Sequence, residues 1–191
     1  MDTVISNIKP RVYNNNYTSL KELFVDYRAT KRCLPSFNVN DNYDLKAVVE
    51  AAEEMDTNVM VMTYPPVAEL NTPEVFRALV DGFKKISKNN IYLHLDHSTS
   101  VEQCKHAIDA GYDSVMIDGS QVSLEENIKM TKAVVDYAKL RGVVVEAEIG
   151  KIMGRGVEVK SDNDFLADVE EVVRLYEETD VDIMAVGIGT A

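Results

Sequence analysis

Apolar and polar positions along the chain repeat with two alternating periods, and this alternation predicts strands and helices in turn. Residues 19–30 carry apolar side chains at helical spacing, behind a Ser19–Glu22 capping-box pattern. Short apolar runs separated by further amphipathic segments follow. The six predicted strands span residues 34–39, 58–64, 91–96, 113–118, 143–149 and 181–189. Strands this apolar, alternating with helices, favour parallel pairing with both faces of the sheet covered.

Two architectures fit this alternation: an open doubly wound sheet, or part of a (β/α)8 barrel. The first predicted strand is not followed by the Gly-x-Gly-x-x-Gly pattern of dinucleotide-binding folds, which weakens that interpretation. Residues 1–17 contain Pro10 and three consecutive asparagines, which interrupt any period, so they are predicted to form an N-terminal arm. Residues 18–191 are predicted to form one domain.

The charge and cysteine content of the chain limit the partners and the cellular compartment that we expect. The 20 Lys and Arg residues are outnumbered by 32 Asp and Glu residues, and the net charge of −12 argues against nucleic acid or an anionic membrane as the main partner. Cys33 and Cys104 lie far apart and outside any Cys-x-x-Cys pattern, which suits a reducing compartment. The chain shows neither a signal-peptide pattern nor an apolar run of membrane-spanning length. A cytoplasmic protein is expected.

Ionisable residues stand at the ends of three successive predicted strands. Asp96 ends the third strand and His97 follows it, Asp118 ends the fourth, and Glu146 and Glu148 lie in the fifth. Sites in parallel α/β folds collect at the carboxyl ends of the strands. We therefore expect these groups to meet at one edge of the sheet.

The two-residue repeat of a strand sharpens this expectation. Glu146 and Glu148 share a face about 7 Å apart, and two such carboxylates require a counter-charge, a metal or a proton. His94 shares a face with Asp96, whereas His97 falls on the opposite face unless the chain turns. His97, at the loop, is the better candidate ligand, and His94 is expected to be a packed strand residue.

Plainer interpretations stay open for each residue. Asp118 precedes Gly-Ser and could simply cap the next helix. Glu146 and Glu148 could pair with Lys151, and His106 is expected to be a surface or packing residue. The functional interpretation depends on the conjunction of these residues.

Four motifs carry a family resemblance: LDH (95–97), SVMIDGS (114–120), EEN (125–127) and VEAEIG (145–150). In this order and spacing they resemble the class II, zinc-dependent fructose-bisphosphate/tagatose-bisphosphate aldolases, from about residue 19 to residue 191. The resemblance implies a (β/α)8 barrel that cleaves a ketose bisphosphate, a small phosphorylated sugar, into dihydroxyacetone phosphate and an aldehyde. It also implies a divalent zinc ion that polarises the substrate carbonyl, and a homo-oligomer.

The resemblance also assigns roles by motif position. His97 matches a ligand of the catalytic zinc, and Asp96 matches the acid/base that exchanges a proton with the substrate hydroxyl. Asp118 and Glu148 match carboxylates that hold metal at a second or alternative position. Asn38, in FNVND, matches a polar position near the substrate.

Several positions depart from the family pattern. Ser98 replaces the glycine that usually follows LDH, and Tyr64–Pro65, or Thr63 under a one-residue shift, replaces a serine that contacts substrate. These changes leave the identity of the sugar open. A histidine usually follows the final Gly-Thr, where this sequence has Ala191. A complete barrel of this type needs about 250 residues, so we expect an incomplete barrel of about six β/α units, either a piece of a longer protein or a chain that needs a partner.

Three hypotheses follow. The first is a metal-dependent aldolase, and the second is a non-catalytic, aldolase-like subunit that joins a partner. The third is a metal-free enzyme working through a lysine Schiff base, which is disfavoured because no predicted strand ends in lysine.

Overall fold

Six parallel strands form a single sheet whose spatial order, β1 to β6, is their order in the chain. The computed structural model describes residues 19–150 and 166–189, so the predicted arm and residues 151–165 lie outside the described residues. The strands are β1 (Ser36–Asn38), β2 (Val59–Thr63), β3 (Ile91–Ser98), β4 (Ser114–Asp118), β5 (Val144–Ile149) and β6 (Ile183–Val186). The helices are α1 (Leu20–Thr30), α2 (Asn42–Glu54), α3 (Pro65–Asn71), α4 (Pro73–Lys84), α5 (Val101–Asp109), α6 (Leu124–Lys139) and α7 (Val169–Thr179).

The sequence predicted all six strands, although β1 and β6 are shorter than their apolar runs. The predicted Ser19 cap is confirmed, and Ser100 and Ser123 cap α5 and α6 in the same way, since each of the three accepts a hydrogen bond from the main-chain N–H three residues on. Helix α3 was not predicted. It begins at Pro65, and its two leading prolines occupy first-turn positions where a missing N–H costs nothing. None of the described helices is long and apolar enough to cross a membrane.

Apolar side chains pack on both faces of the sheet, as expected for the wall of a barrel. The larger cluster lies between the sheet and helices α2 to α7, and it includes the outward residues Leu93 and Leu95 of β3. The smaller cluster lies on the inner face, where α1 packs through Leu23 and Tyr27 against Tyr92 and neighbouring strands. Helix α1 therefore covers the inner face near the amino ends of the strands, and the carboxyl ends are left for chemistry.

Polar side chains at the amino ends of strands tie neighbouring strands together. Asn58 accepts a hydrogen bond from the main-chain N–H of Asn90 at 2.9 Å, and Asp182 accepts one from Val145 at 3.0 Å. Asp113 does the same for Leu93 at 2.9 Å. These contacts satisfy main-chain donors where the ladder begins, and they help to fix strand register at the end opposite the site.

Asp113 is the most connected of these side chains, and its loss is expected to destabilise the fold. The same carboxylate oxygen also lies 3.2 Å from Arg77 Nη1 and 3.3 Å from Lys84 Nζ. Asp113→Ala leaves three donors without this acceptor, so we expect the free energy of unfolding to fall by about 2 kcal/mol. Urea unfolding followed by circular dichroism measures this, with the exposed Asp136→Ala as control. Equal midpoints for the two variants would contradict the prediction.

Candidate metal centre

A β-bulge near the carboxyl end of β3 sets the geometry of the site. Leu95 pairs with Val115 and Ser98 pairs with Ile117, so Asp96 and His97 together oppose one residue of β4. His97 takes the left-handed conformation, with φ of 51°. An extra residue of this kind re-aims the side chains around it. The bulge brings His97 to the inner face beside Asp96, which the regular two-residue repeat does not allow.

His97 meets two carboxylates from the neighbouring strands. Its Nδ1 atom lies 3.0 Å from Asp118 Oδ2, at the end of β4, and 3.0 Å from Glu148 Oε2, in β5. Asp118 and Glu148 are register partners across the ladder. The structure therefore brings together the three residues that the sequence proposed as metal ligands, from three successive strands.

The three side chains fit a divalent cation. Their ligand atoms all lie within 4.8 Å of one another, and two ligands of one zinc ion, each about 2.1 Å from it, are at most about 4.2 Å apart. Only small shifts are needed. Glu148 Oε2 is buried without a hydrogen-bond partner among the described residues, because His97 Nδ1 bonds to Asp118 despite lying equally close to Glu148. A buried oxygen of this kind is available to a cation.

The electrostatics of the site also favour positive charge. The hydrogen bond to Asp118 and the nearby Glu148 carboxylate raise the pKa of His97 to about 10, against the opposing effect of burial. Burial acts to raise the pKa of Asp118, but hydrogen bonds from His97 and Ser120 outweigh it and lower this pKa. A cation between these carboxylates is thus stabilised by the strand ends that surround it.

Ser123, and not Asp118, caps helix α6. The carboxylate of Asp118 instead lies between the turn after β4 and His97. Its Oδ1 atom accepts hydrogen bonds from the Ser120 main-chain N–H at 3.1 Å and from the Ser120 hydroxyl at 2.6 Å. Its Oδ2 atom faces His97. The turn after β4 therefore holds the carboxylate by one oxygen and leaves the other for a ligand.

Asp96 lies beside the three candidate ligands and is not part of their cluster. Its Oδ1 atom is 3.7 Å from His97 Nε2, and its Oδ2 atom accepts a hydrogen bond of 3.0 Å from the side-chain amide of Asn38, on β1. A cavity of about 540 Å³ opens here, lined by Asn38, Tyr64, Pro65, Pro66, His97 and Thr99. A larger cavity of about 920 Å³ between α6 and α7 is lined by neither Asp96 nor His97, so size alone does not mark the site.

Comparison with known proteins agrees with this geometry. Residues 18–191 match the family described as Fructose-bisphosphate aldolase class-II. The chain belongs to the class II fructose-bisphosphate aldolase family. It is 35% identical to a fructose-bisphosphate aldolase of Staphylococcus aureus strain Mu50, over 90% of this chain and 61% of that protein. It is 36% identical to the 6-phospho-5-dehydro-2-deoxy-D-gluconate aldolase of Bacillus subtilis strain 168, with 91% and 61% covered.

A solved structure shows the same fold. The YdjI aldolase of Escherichia coli K12 superposes with a TM-score of 0.74 at 27% identity, over 90% of this chain and 61% of that one. The predicted incomplete barrel of six β/α units is therefore confirmed as a class II aldolase fold. The chain spans about 61% of the length of the curated relatives it matches.

Two of the departures from the family pattern face away from the cavity. Ser98, one residue past the bulge, is fully buried, and its hydroxyl lies near Ser100 O and Gln103 Oε1. Thr63 is also buried, 2.9 Å from the hydroxyl of Tyr112. The third departure, Tyr64, lines the cavity beside His97. Of the three, Tyr64 is therefore the position that borders the cavity.

The neighbouring carboxylates Glu146 and Glu148 are accommodated in different ways. Burial, and then the negative charge of Asp96, raise the pKa of Glu146 to about 7. Glu148 instead faces His97 and Asp118. Glu146 therefore favours binding a proton, and Glu148 favours a cation. These are two of the solutions that the sequence allowed. The proposed partner Lys151 lies outside the described residues.

His94 is the packed strand residue that the sequence predicted. It is 2% exposed, with Nδ1 2.9 Å from the Ser114 hydroxyl, and burial lowers its pKa from 6.5 to about 4. Between these values the unfolded chain binds a proton that the folded protein does not, so stability falls as the pH falls from 6.5 towards 4. His94→Gln is expected to make this slope shallower by up to about 1.4 kcal/mol per pH unit.

Urea unfolding at several pH values tests this expectation. His106→Gln is the matched control, because His106 is exposed and contacts Glu74 at the surface. An unchanged slope in the His94 variant would show that His94 does not carry the acid sensitivity.

One polar residue near the site was not predicted from the sequence. Asn127 of α6 is 2% exposed and reaches the main chain of Glu148. The available signal was its position in EEN, at helical spacing from the buried Thr131 and Val134, where an apolar residue is expected.

Proposed function

We propose that this chain is a metal-dependent aldolase, which reversibly cleaves a phosphorylated ketose into dihydroxyacetone phosphate and an aldehyde. The observation that carries the proposal is the convergence of His97, Asp118 and Glu148 beside Asp96, at the carboxyl ends of β3, β4 and β5. Membership of the class II family supports it.

The residues divide into cation-holding and proton-transferring groups. His97, Asp118 and Glu148 would hold a divalent cation, which supplies the Lewis acidity that polarises a substrate carbonyl. Asp96, whose carboxylate lies outside this ligand set, exchanges the proton of the substrate hydroxyl at the bond that breaks. Asn38 orients Asp96 through its amide and also lines the cavity, where it can contact the substrate.

The proposed substrate is a ketose bisphosphate of the fructose or tagatose type. The two relatives differ in the substrates they are named for, fructose bisphosphate in one and 6-phospho-5-dehydro-2-deoxy-D-gluconate in the other. Tyr64, with Pro65 and Pro66, forms one wall of the cavity beside His97. This wall is where we expect the choice among phosphorylated sugars to be made.

Further properties belong to the same proposal. We propose zinc as the metal from the resemblance to the zinc-dependent aldolases; His97, Asp118 and Glu148 would supply three ligands and leave a position open for the substrate. A cytoplasmic location and a role in glycolysis or related carbohydrate metabolism are proposed with it, and the free Cys33 and Cys104 suit a reducing compartment. A homo-oligomer is proposed from the family resemblance.

A coupled assay tests the activity. Fructose and tagatose bisphosphate are supplied separately to the zinc-loaded chain, and release of dihydroxyacetone phosphate is followed through NADH oxidation by glycerol-3-phosphate dehydrogenase. We expect release with one of the two, loss of release on chelation, and recovery with added Zn²⁺. Bound zinc with no release from either sugar would contradict the proposal.

The alternative, a non-catalytic aldolase-like subunit, is favoured by one observation. Within the described residues β1 pairs only with β2 and β6 only with β5, and Phe37 on β1 is 50% exposed. Open strand edges invite a partner. A chain that binds zinc, lacks cleavage alone and gains no cleavage with a partner would support this alternative.

A further inference from the structure

A buried amide on α6 touches the main chain beside both proposed carboxylate ligands. The Asn127 side chain donates a hydrogen bond of 2.8 Å from Nδ2 to the carbonyl of Glu148, and its Oδ1 accepts one of 3.0 Å from the Thr131 hydroxyl. With both ends of the amide bonded and 2% of the residue exposed, its orientation is fixed.

The same amide packs directly against the turn that follows Asp118. A Cβ atom placed on Gly119 would stand 2.2 Å from both Cγ and Oδ1 of Asn127, far inside van der Waals contact. Glycine is required here for this close approach and not for its backbone angles, because Gly119 is not among the residues with positive φ. Asn127 therefore fills the space between the ends of β4 and β5.

We infer that Asn127 is a positioning residue that holds Asp118 and Glu148 at the separation the cation needs; the inference rests on the proposed metal-dependent function. Helix α6 connects β4 to β5, so one side chain of the connecting helix sets the main chain at both strand ends. Asn127 acts through the backbone of its neighbours, since its own amide is occupied by Glu148 O and Thr131.

Purely structural packing makes a different prediction from positioning. If Asn127 only filled the core, its replacement would lower stability while leaving the metal site of the folded protein unchanged. If it positions the ligands, the folded variant binds metal more weakly and with altered geometry. Partners behind metal ligands typically contribute about 10- to 100-fold in metal affinity.

The experiment measures Zn²⁺ affinity by chelator competition and the visible absorption bands of bound Co²⁺, at a temperature where circular dichroism shows every variant folded. Asn127→Leu keeps the volume but removes the donor to Glu148, and we expect roughly 10- to 100-fold weaker Zn²⁺ binding with shifted Co²⁺ bands. Gly119→Ala, which keeps Asn127 but forces it away, is expected to change both readouts in the same direction.

Thr131→Val is the matched control, because it removes a buried hydrogen bond to the same amide but keeps the bond to Glu148. We expect its Zn²⁺ affinity and Co²⁺ bands to stay at the wild-type values.

The outcomes separate this inference from the proposed function. Wild-type affinity and spectrum in folded Asn127→Leu, with zinc binding still lost in His97→Ala, would overturn the inference and leave the metal site standing. If Asn127→Leu does not fold, Gly119→Ala decides, and unchanged readouts there overturn the inference. A wild-type chain that binds neither Zn²⁺ nor Co²⁺ would overturn both.

Discussion

His97→Ala is expected to weaken Zn²⁺ binding by roughly a thousandfold, about 4 kcal/mol. His97 supplies the single nitrogen among the three proposed ligands and lies 3.0 Å from both Asp118 and Glu148. The variant loses a direct metal ligand and keeps only the two carboxylates. The loss should therefore exceed the 10- to 100-fold typical of a partner behind a ligand. Chelator competition or calorimetry with Zn²⁺ measures it.

His106→Ala is the control for this measurement. His106 is an exposed histidine of α5 that pairs with Glu74, away from the strand ends. Its variant is expected to bind zinc like the wild type. Equal affinities in the His97 and His106 variants would show that zinc binds elsewhere, and would remove the observation on which the proposed function depends.

The fold was largely predictable because its local signals agree with one another. The serine caps Ser19, Ser100 and Ser123 start helices where the apolar period changes, and the buried strands read as continuous apolar runs. Helix α3 was missed because Pro65 and Pro66 suggest a loop, whereas both occupy the first turn of a helix. A helix of only seven residues is too short for the spacing of its apolar residues to reveal it.

The residues of the site were predictable, but not the geometry that joins them. Strand-end chemistry identified Asp96, Asp118 and Glu148. It also favoured His97, although a regular two-residue repeat without a turn places this side chain on the opposite face. The bulge that corrects this is a backbone feature stabilised by the surrounding sheet. Histidine adopts a positive φ more often than most residues, but this preference is too weak to locate a bulge in a sequence. The pairing of β3 with β4 in the folded sheet therefore decides which way the His97 side chain points.

The role of Asn127 could not be predicted from the sequence for a similar reason. EEN precedes β5 by many residues, and only the return of the chain through α6 brings the amide to Glu148. Gly119 looks like an ordinary turn glycine in the sequence. Its close contact with Asn127 appears only when the two segments pack.

The second large effect is expected at Asp96. Asp96→Asn keeps the size of the side chain and an oxygen that can accept the hydrogen bond from Asn38, but it removes the group that takes a proton. We expect kcat for cleavage to fall about 100- to 10,000-fold, the usual contribution of a positioned acid/base. Zn²⁺ affinity should change little, because Asp96 lies outside the ligand set.

Measuring kcat and zinc affinity on the same preparation separates chemistry from metal loss. Asp44→Asn serves as the control, since Asp44 is a partly exposed carboxylate in the first turn of α2 that accepts hydrogen bonds from Asn40. Weakened zinc binding in the Asp96 variant would show that Asp96 is a metal ligand. An unchanged kcat would show that another group transfers the proton. A fall in kcat at constant zinc affinity is the result that a carboxylate beside the cation, but not bound to it, must give.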